Sequence, residues 1–527
     1  MILDGQQRLT SLTQVLKLNK PVVTTDSKKK KIERYYYIDI EKALAGSENY
    51  DEAFFGVDKD KILREDFGRK IKIDLSTKEK EYEQMYFPCS QILNSDDWEE
   101  GLHEYAPEKF QMYMTFRKTI LNNFRSYELP IIELKKDNRK EAVCLVFEKV
   151  NTGGVPLSIF ELVTATYAAD NVNLRDEWYG NKKLGIVGFK EKFQAIKLLK
   201  SIESTDFLQG LTLLQTYAKR KRDIADGKKG KQITGVSAKR EAILSLPLSS
   251  YQRYKEKLFD GYKQAARFLR GEAFFENYDL PYTSQLIPLA ALMAMIKERW
   301  QEPIIKAKIT KWFWNGVLGE LYGGSSDTKI SLDLQELMDW IGGGGEEPST
   351  IRTATFNADR LNTLRSRNSA AYKGINVLIQ REGACDFFWK TKIHDLSETD
   401  WEENRLDIHH IFPKDWCKKR GIPAGSYNSI LNKTAISYKA NRMIGGKAPS
   451  EYLKQLQSHK SVQLDDDEMD KIILSHCIEP ITLRCDDYDE FLKERSNMII
   501  KKIEAVTGKS VIRVKEHNED YLENDDE

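Results

Sequence analysis

The sequence predicts a mainly helical α+β protein, and three observations lead to this fold class. Short strand-like segments lie near the N-terminus, helical periodicity dominates the middle, and a strand-like stretch ends in two adjacent histidines near the C-terminus. A chain of 527 residues has room for roughly three domains. We expect an N-terminal domain at residues 1–175, a helical spacer at 176–341, a glycine-rich linker at 342–349, a C-terminal domain at 350–510 and an acidic tail at 511–527.

Composition excludes several classes of protein. Hydrophobic residues make up 40% of the chain and charged residues 31%, with a mean hydropathy of -0.56. The longest apolar run, residues 286–296, is interrupted by Pro288 and is shorter than the roughly 20 residues of a membrane-spanning helix. No leader-like segment opens the chain. We therefore expect a cytoplasmic protein without a membrane partner.

The six cysteines are scattered singly, and no Cys-x-x-Cys pair occurs. A disulfide scaffold would need more cysteines, and a structural zinc site would need closer spacing. We therefore predict unligated thiols and no zinc.

The N-terminal domain mixes strand-like segments, at residues 35–40, 129–134 and 143–150, with helical ones such as 160–168. Five residues at its start, Asp4, Gly5, Gln6, Gln7 and Arg8, precede a run whose apolar side chains share one helical face, namely Leu9, Leu12, Val15 and Leu16. A glycine, a fixed cation and a helix N-terminus together suit the phosphates of a nucleoside triphosphate. A turn in which Arg8 pairs with a carboxylate is an equally good interpretation.

The helical spacer carries no chemical motif, but its charge is uneven. Residues 219–240 hold nine Lys or Arg against two Asp, whereas the net charge of the whole chain is only +1. Contact with a nucleic-acid backbone and a solvated surface loop both explain this basic segment. Further along, periodicity predicts a closing helix at residues 488–507.

The most informative motif lies in the C-terminal domain, where Leu406, Asp407, Ile408, His409 and His410 run into Ile411, Phe412 and Pro413. Because a proline cannot continue a strand ladder, the strand should end near the histidines. Hydrolysis of a phosphodiester needs a base near neutral pH, which an imidazole supplies, and a cation where negative charge develops. At a strand end that twists, one histidine can bind a metal ion while the other faces the attacking water.

Asn432 and Asn441 complete the parts of a one-metal nuclease site. The pattern resembles the HNH, or ββα-metal, nucleases, in which a hairpin and a helix hold one divalent ion. The resemblance implies that His410 is the general base, that His409 and Asn441 bind the metal, and that Asn432 fixes the hairpin loop. It also implies Mg²⁺ or Mn²⁺ as the cofactor. The long gap between His410 and Asn432 indicates an insertion in the loop.

Longer segments resemble a particular family. Residues 431–437, 441–442 and 449–453 are similar to the C-terminal nuclease domain of the GmrSD-type, modification-dependent restriction enzymes. The Asp-Gly-Gln-Gln-Arg string and residues 147–158 resemble the ParB-like N-terminal domain of the same enzymes. In that second stretch, the types of Asn151, Gly153 and Gly154 suggest a second place where the main chain comes close to a bound nucleotide. A simple strand-to-helix turn explains them as well.

This resemblance implies a prokaryotic, anti-phage endonuclease that acts on modified foreign DNA and responds to GTP or another nucleoside triphosphate. Family members carry several tens of residues before the Asp-Gly-Gln-Gln-Arg string, whereas this chain starts almost on it. We therefore expect the ParB-like domain to lack its first strand region. A homodimer or a companion subunit could supply the missing part.

Three cations near the motif, Lys439, Arg442 and Lys447, are candidates for contact with DNA phosphates. Trp416 and Tyr438 are expected to pack in the hairpin region rather than on DNA. Three alternatives stay open. The histidines could be ordinary core and surface residues, or the chain could be a ParB-like, nucleotide-dependent DNA-binding or regulatory protein, or a partner subunit, with an inactive nuclease domain.

Overall fold

The computed structural model describes residues 6–25, 30–46, 50–65, 70–129, 131, 158–168, 170–324, 327–396 and 406–513. The chain forms two compact units, residues 1–138 and 139–527. It is about 61% helical and contains small antiparallel sheets. The predicted class, mainly helical α+β, is thereby confirmed, while the domain boundaries given above stay predictions.

The first unit is built on an antiparallel sheet. Its strands are β1 Val22–Thr25, β2 Lys31–Asp39, β3 Phe54–Asp58, β4 Ile62–Glu65, β5 Lys70–Asp74 and β6 Tyr86–Pro88. Strand β2 pairs with β1, β3 and β6, whereas β4 and β5 form a separate hairpin. The helices are α1 Gln6–Leu16, α2 Ile40–Leu44, α3 Tyr50–Ala53, α4 Lys78–Gln84, α5 Asp96–Tyr105, α6 Phe110–Phe116 and α7 Asn122–Ser126.

Strand β2 confirms the predicted strand near residues 35–40 and organises the core of the first unit. Ile38 is fully buried and belongs to a cluster with Phe87 and Trp98. Tyr37, which points to the opposite face, packs with Val57. Both faces of the C-terminal half of the strand are therefore covered, which explains its run of aromatic and apolar residues from Tyr35 to Ile38.

The second unit is almost entirely helical. Its helices are α8 Ile159–Ala168, α9 Leu174–Tyr179, α10 Phe189–Gln194, α11 Ser204–Ala225, α12 Arg240–Leu244, α13 Leu248–Gly271, α14 Leu286–Ile296, α15 Pro303–Leu318, α16 Asp327–Ile341, α17 Ser349–Thr353, α18 Arg360–Thr363, α19 Ala370–Arg381, α20 Ile393–Leu396, α21 Lys414–Lys419, α22 Ala424–Tyr427, α23 Tyr438–Ile444, α24 Pro449–Ser458, α25 Asp466–Ser475, α26 Pro480–Arg484 and α27 Tyr488–Thr507. Helices α8 and α27 confirm the predicted helical segments at 160–168 and 488–507.

Helices α13 and α14 pack closely at the centre of this unit. A Cβ atom at Gly261 of α13 would lie 2.2 Å from the carbonyl oxygen of Ala290 in α14, so only glycine permits this approach. Helix α14 is apolar on all sides because it is buried on all sides. Of the helices described, none combines the length and the apolar composition that crossing a membrane requires.

Two hydrophobic clusters make up the core of the second unit. The large cluster includes residues from Phe160 to Val511, and therefore from both the predicted spacer and the predicted C-terminal domain. The second cluster includes residues from Phe387 to Phe491.

A short hairpin completes the second unit. Its strands are β7 Leu406–His410 and β8 Lys433–Ser437, which pair in antiparallel fashion. Strand β7 ends at the histidines, as the sequence predicts. Helix α23 follows β8 directly and contacts both strands. The result is a strand-strand-helix arrangement.

Candidate functional site

The hairpin sets the directions of the two adjacent histidines. His409 lies opposite Thr434, and His410 lies opposite Lys433. Because neighbouring side chains of a strand point to opposite faces, the two imidazoles leave the strand in different directions. The pair can therefore perform two different tasks at one strand end.

Both faces of the hairpin pack against hydrophobic residues. Leu406 and Ile408, which share a face with His410, pack against the large cluster of the second unit. Ile436, which lies opposite Asp407 on the other face, belongs to the second cluster. The hairpin is thus held between two cores, which restricts its movement.

Helix α23 is anchored at its first turn. Its N-cap residue, Ser437, accepts a hydrogen bond from the backbone N–H of Ala440 at 3.1 Å. The fully buried carboxylate of Asp386 accepts hydrogen bonds from Ser437 N at 2.6 Å and Ser437 Oγ at 3.0 Å. Asn441 lies one turn further along and is half-buried, and its side chain has no hydrogen-bond partner among the described residues. Its amide is thus available to a ligand.

Asn432 ties the end of the histidine strand to the returning loop. Its side chain is fully buried, and Oδ1 accepts a hydrogen bond from Phe412 N at 2.8 Å. Its Nδ2 donates to the carbonyl oxygens of Phe412 and Tyr427, each at 3.0 Å. These are the contacts that a loop-fixing residue needs, and the catalytic relevance of Asn432 stays a prediction.

The loop between the two strands is folded rather than irregular. It contains α21, α22 and a 3₁₀ turn, Ile430–Asn432. Trp416 in α21 is buried against Phe412, with ring centroids 4.9 Å apart. The expected packing role of Trp416 is thereby confirmed.

His410 has a side-chain partner from this loop. Its Nε2 lies 3.1 Å from Oδ1 of Asn428. An amide oxygen only accepts, so this contact places the ring proton on Nε2 and leaves the lone pair on Nδ1. Burial lowers the pKa of His410 below its ordinary value, and the hydrogen bond with Asn428 acts in the opposite direction. The imidazole is therefore neutral near pH 7 and can accept a proton.

His409 carries an orphaned ring nitrogen. Its Nε2 is buried and has no hydrogen-bond partner among the described residues. Burial lowers the pKa of His409 as well, while the carboxylate of Asp407 partly opposes the shift. Because buried polar atoms nearly always have a partner, a neutral nitrogen in this state fits the role of a metal ligand.

A cation that the sequence motif does not contain lies beside the strand. Arg367 donates from Nη1 to Asp407 Oδ1 and from Nη2 to the carbonyl oxygen of Ile408, each at 2.5 Å. Its charge contributes to lowering the pKa values of both histidines. The sequence alone does not indicate Arg367 or Asn428, because neither lies in a motif and only the fold brings them to the strand.

The cations predicted to contact phosphates lie on or just after α23. The guanidinium of Arg442 stacks over the ring of Tyr438, which is 37% exposed, at 4.2 Å from its centroid. Lys439 Nζ lies 5.4 Å from the ring centroid of Phe388. Lys447 is exposed and donates from Nζ to Gln455 Oε1 at 2.5 Å. All three follow the hairpin closely in the chain, and their role stays a prediction.

In the described part of the chain, no three His, Cys, Asp or Glu side chains come together as a metal cluster.

Only part of the predicted nucleotide site can be located. Gln6, Gln7 and Arg8 form the first turn of α1, so the expected helix start is present at this position. Asp4 and Gly5, like Asn151, Gly153 and Gly154, lie outside the described residues. The apolar face of α1 is only partly covered, because Val15 and Leu16 pack on the core whereas Leu12 is 45% exposed.

Comparison with known proteins agrees with the resemblance seen in the N-terminal region. Residues 1–168 match the family model described as the GmrSD restriction endonuclease, N-terminal domain. This match supports a relationship of the chain to restriction endonucleases of the GmrSD type. An uncharacterized protein of Methanocaldococcus jannaschii is 25% identical over 549 residues, which cover 95% of this chain and 84% of that relative.

Proposed function

We propose that this protein is a metal-dependent endonuclease of the HNH type that cleaves DNA. The observation that carries the proposal is the strand-strand-helix arrangement, in which His409 and His410 end the first strand and Asn441 lies on the helix. The match of residues 1–168 to the restriction-endonuclease domain supports DNA as the substrate.

The donors at the strand end suit one hard divalent cation. The orphaned Nε2 of His409 and the available amide of Asn441 would hold it. Mg²⁺ and Mn²⁺ accept few protein ligands and complete their coordination with water and phosphate oxygens. When bound, the ion would polarise the scissile phosphate and stabilise the leaving oxygen.

His410 would act as the general base. Burial keeps its imidazole neutral, and the Asn428 contact directs the lone pair to Nδ1, which then takes the proton of the attacking water. Asn432 would keep the imidazole of His410 in this orientation, because it ties the residues just after His410 to the loop. Lys439, Arg442 and Lys447 would contact the phosphates of the bound strand.

The decisive experiment is plasmid cleavage by the His410→Ala variant. The parent should cut with Mg²⁺ or Mn²⁺ and stop when EDTA is added, whereas His410→Ala should lose at least about a hundredfold in rate, because a general base contributes roughly 10²–10⁴-fold. The matched control is His459→Ala, since His459 lies in the same unit and has no described contact with the hairpin. A parent that binds DNA but never cuts it would favour the alternative, a DNA-binding protein with an inactive nuclease domain.

We further propose that the N-terminal domain binds a nucleoside triphosphate, GTP or another, and couples it to cleavage of modified DNA. Asp4, Gly5, Gln6, Gln7 and Arg8, together with Asn151, Gly153 and Gly154, would contact its phosphates. Support comes from the family match over residues 1–168. Adding GTP, ATP, CTP or UTP to cleavage assays on modified and unmodified DNA tests this coupling. Equal rates under all these conditions would refute it.

A further inference from the structure

We infer that Arg367 binds a phosphate of the DNA backbone beside His409 and His410. The inference rests on the proposed function and adds to it a contact from outside the strand-strand-helix arrangement. Arg367 precedes α19 and lies 40 residues before Asp407 in the chain.

The strand itself holds the guanidinium in place. Nη1 bonds to the carboxylate of Asp407, and Nη2 bonds to the backbone oxygen of Ile408, the residue that directly precedes His409. These two bonds, to adjacent residues, fix both the position and the plane of the guanidinium group. Arg367 is thus oriented before any substrate arrives, which removes part of the entropy cost of binding.

One side of the Arg367 guanidinium group remains accessible. The side chain of Arg367 is 49% exposed, and among the described residues its Nε has no hydrogen-bond partner. A guanidinium has five N–H donors, so an Nε–H and one further N–H of each Nη group remain for a ligand. Paired donors of this shape match two oxygens of a phosphate.

The charge of Arg367 reaches the candidate reaction site. Its Nη2 lies 2.5 Å from the carbonyl oxygen of Ile408, the residue before His409, so the guanidinium lies near the end of the histidine strand. A phosphate bound between the histidines and this cation would have its negative charge partly neutralised. Such a fixed cation is most useful where charge grows during the reaction.

A purely structural role explains the arrangement less well. Asp407 is 54% exposed, and exposed ion pairs of this kind stabilise proteins by only about 0–1 kcal/mol. If stability were the only role, removing Arg367 or neutralising Asp407 should lower the free energy of unfolding slightly and leave cleavage by the folded protein unchanged. If Arg367 binds phosphate, removing the cation should have a much larger effect than neutralising Asp407.

The test compares Arg367→Ala, Arg367→Lys and Asp407→Asn with the parent in the full chain. The matched control is Arg352→Ala, because Arg352 is 48% exposed and also bonds to a carboxylate, Glu346, and to a backbone oxygen, Glu347, with a second carboxylate, Glu336, 3.9 Å away. We expect Arg367→Ala to lower kcat/KM for cleavage of a plasmid by about a hundredfold, as removal of one charge-stabilising donor does elsewhere. Arg367→Lys should recover part of the loss, and Asp407→Asn, which keeps an oxygen that can accept the Nη1 bond, should lose much less activity than Arg367→Ala. Arg352→Ala should stay within a few-fold of the parent.

Binding gives a second readout that does not need cleavage. In the His410→Ala background, Arg367→Ala should weaken binding of a short DNA duplex by about tenfold and reduce the slope of log Kd against log salt by about one. Unchanged binding and unchanged salt slope would overturn the inference. If the parent does not cleave but the binding effect persists, the phosphate contact stands and the nuclease proposal falls. Equal losses for Arg367→Ala and Asp407→Asn would show a structural ion pair and also overturn it.

Discussion

The imidazole of His410 depends on a single amide for its orientation. Oδ1 of Asn428, a residue of the loop that separates the two strands, accepts a hydrogen bond from Nε2 of His410 at 3.1 Å. Without this acceptor, the ring can rotate or place its proton on Nδ1, where the base must be free. The orientation of the proposed base is therefore a property of the inserted loop.

We expect Asn428→Ala to lower the single-turnover rate of DNA cleavage by about tenfold or more, because partners of this kind contribute roughly 10–100-fold. Asn428→Asp should keep most of the activity, since a carboxylate oxygen accepts the same N–H. Asn122→Ala is the control, because that residue is exposed and belongs to the first unit. An Asn428→Ala variant as fast as the parent would show that the contact does not orient His410.

Substitution of the two asparagines of the site should have different effects, one mainly on stability and the other on cleavage. Asn432→Ala leaves Phe412 N, Phe412 O and Tyr427 O without their side-chain partner, so it should lower the free energy of unfolding by about 2–4 kcal/mol. Asn441→Ala removes no described hydrogen bond and should leave stability within about 0.5 kcal/mol of the parent. It should nevertheless abolish metal-dependent cleavage. Urea denaturation and cleavage assays separate the effects, and an unstable Asn441→Ala variant would contradict the assignment.

At the scale of single elements, strand β8 depends on a buried neutral histidine. His476 is fully buried, with Nδ1 2.7 Å from Thr434 Oγ1 and Nε2 2.7 Å from the carbonyl oxygen of Cys385. An uncharged ring satisfies both contacts, because Nε2–H donates to the carbonyl and Nδ1 accepts from the hydroxyl. Burial lowers the pKa of His476 to about 4, and the buried cation Arg495 acts in the same direction.

Stability should therefore fall as the pH is lowered from about 6.5 to about 4. In this window the unfolded chain takes up a proton at His476 while the folded protein does not, so acid favours unfolding. Above pH 6.5 the contribution is fully present, and its full loss amounts to about 3 kcal/mol. Urea denaturation at several pH values measures this slope, which should be shallower in His476→Gln. An equal slope in both proteins would assign the effect to other groups.

The elements of the site were predictable because local sequence defines them. The paired histidines and the proline after them predict the end of the strand, and the histidines and asparagines are the candidate site residues. The helix is predicted by the resemblance to known nucleases. Arg367, Asn428, Asp386 and His476 could not be found in this way. Each meets the hairpin only through tertiary packing, and periodicity carries no information about which distant side chain will face a given strand.

At the scale of the whole molecule, the hydrophobic clusters follow the division into two units. The clusters of the first unit contain residues from Val15 to Leu121, and those of the second contain residues from Ile159 to Val511. Each described cluster therefore lies within one unit. Because burial of apolar side chains is the main source of folding free energy, each unit has its own stabilising core.

We expect two unfolding transitions when the full chain is heated, and a matched pair of substitutions assigns them. Leu102 in α5 and Leu289 in α14 are both fully buried, one in each unit. Leu→Ala in such a site costs about 2–5 kcal/mol. Leu102→Ala should lower the midpoint of one transition by several degrees and leave the other in place, while Leu289→Ala should do the reverse, as measured by differential scanning calorimetry. If both substitutions moved one shared transition, the two units would fold as a single cooperative body.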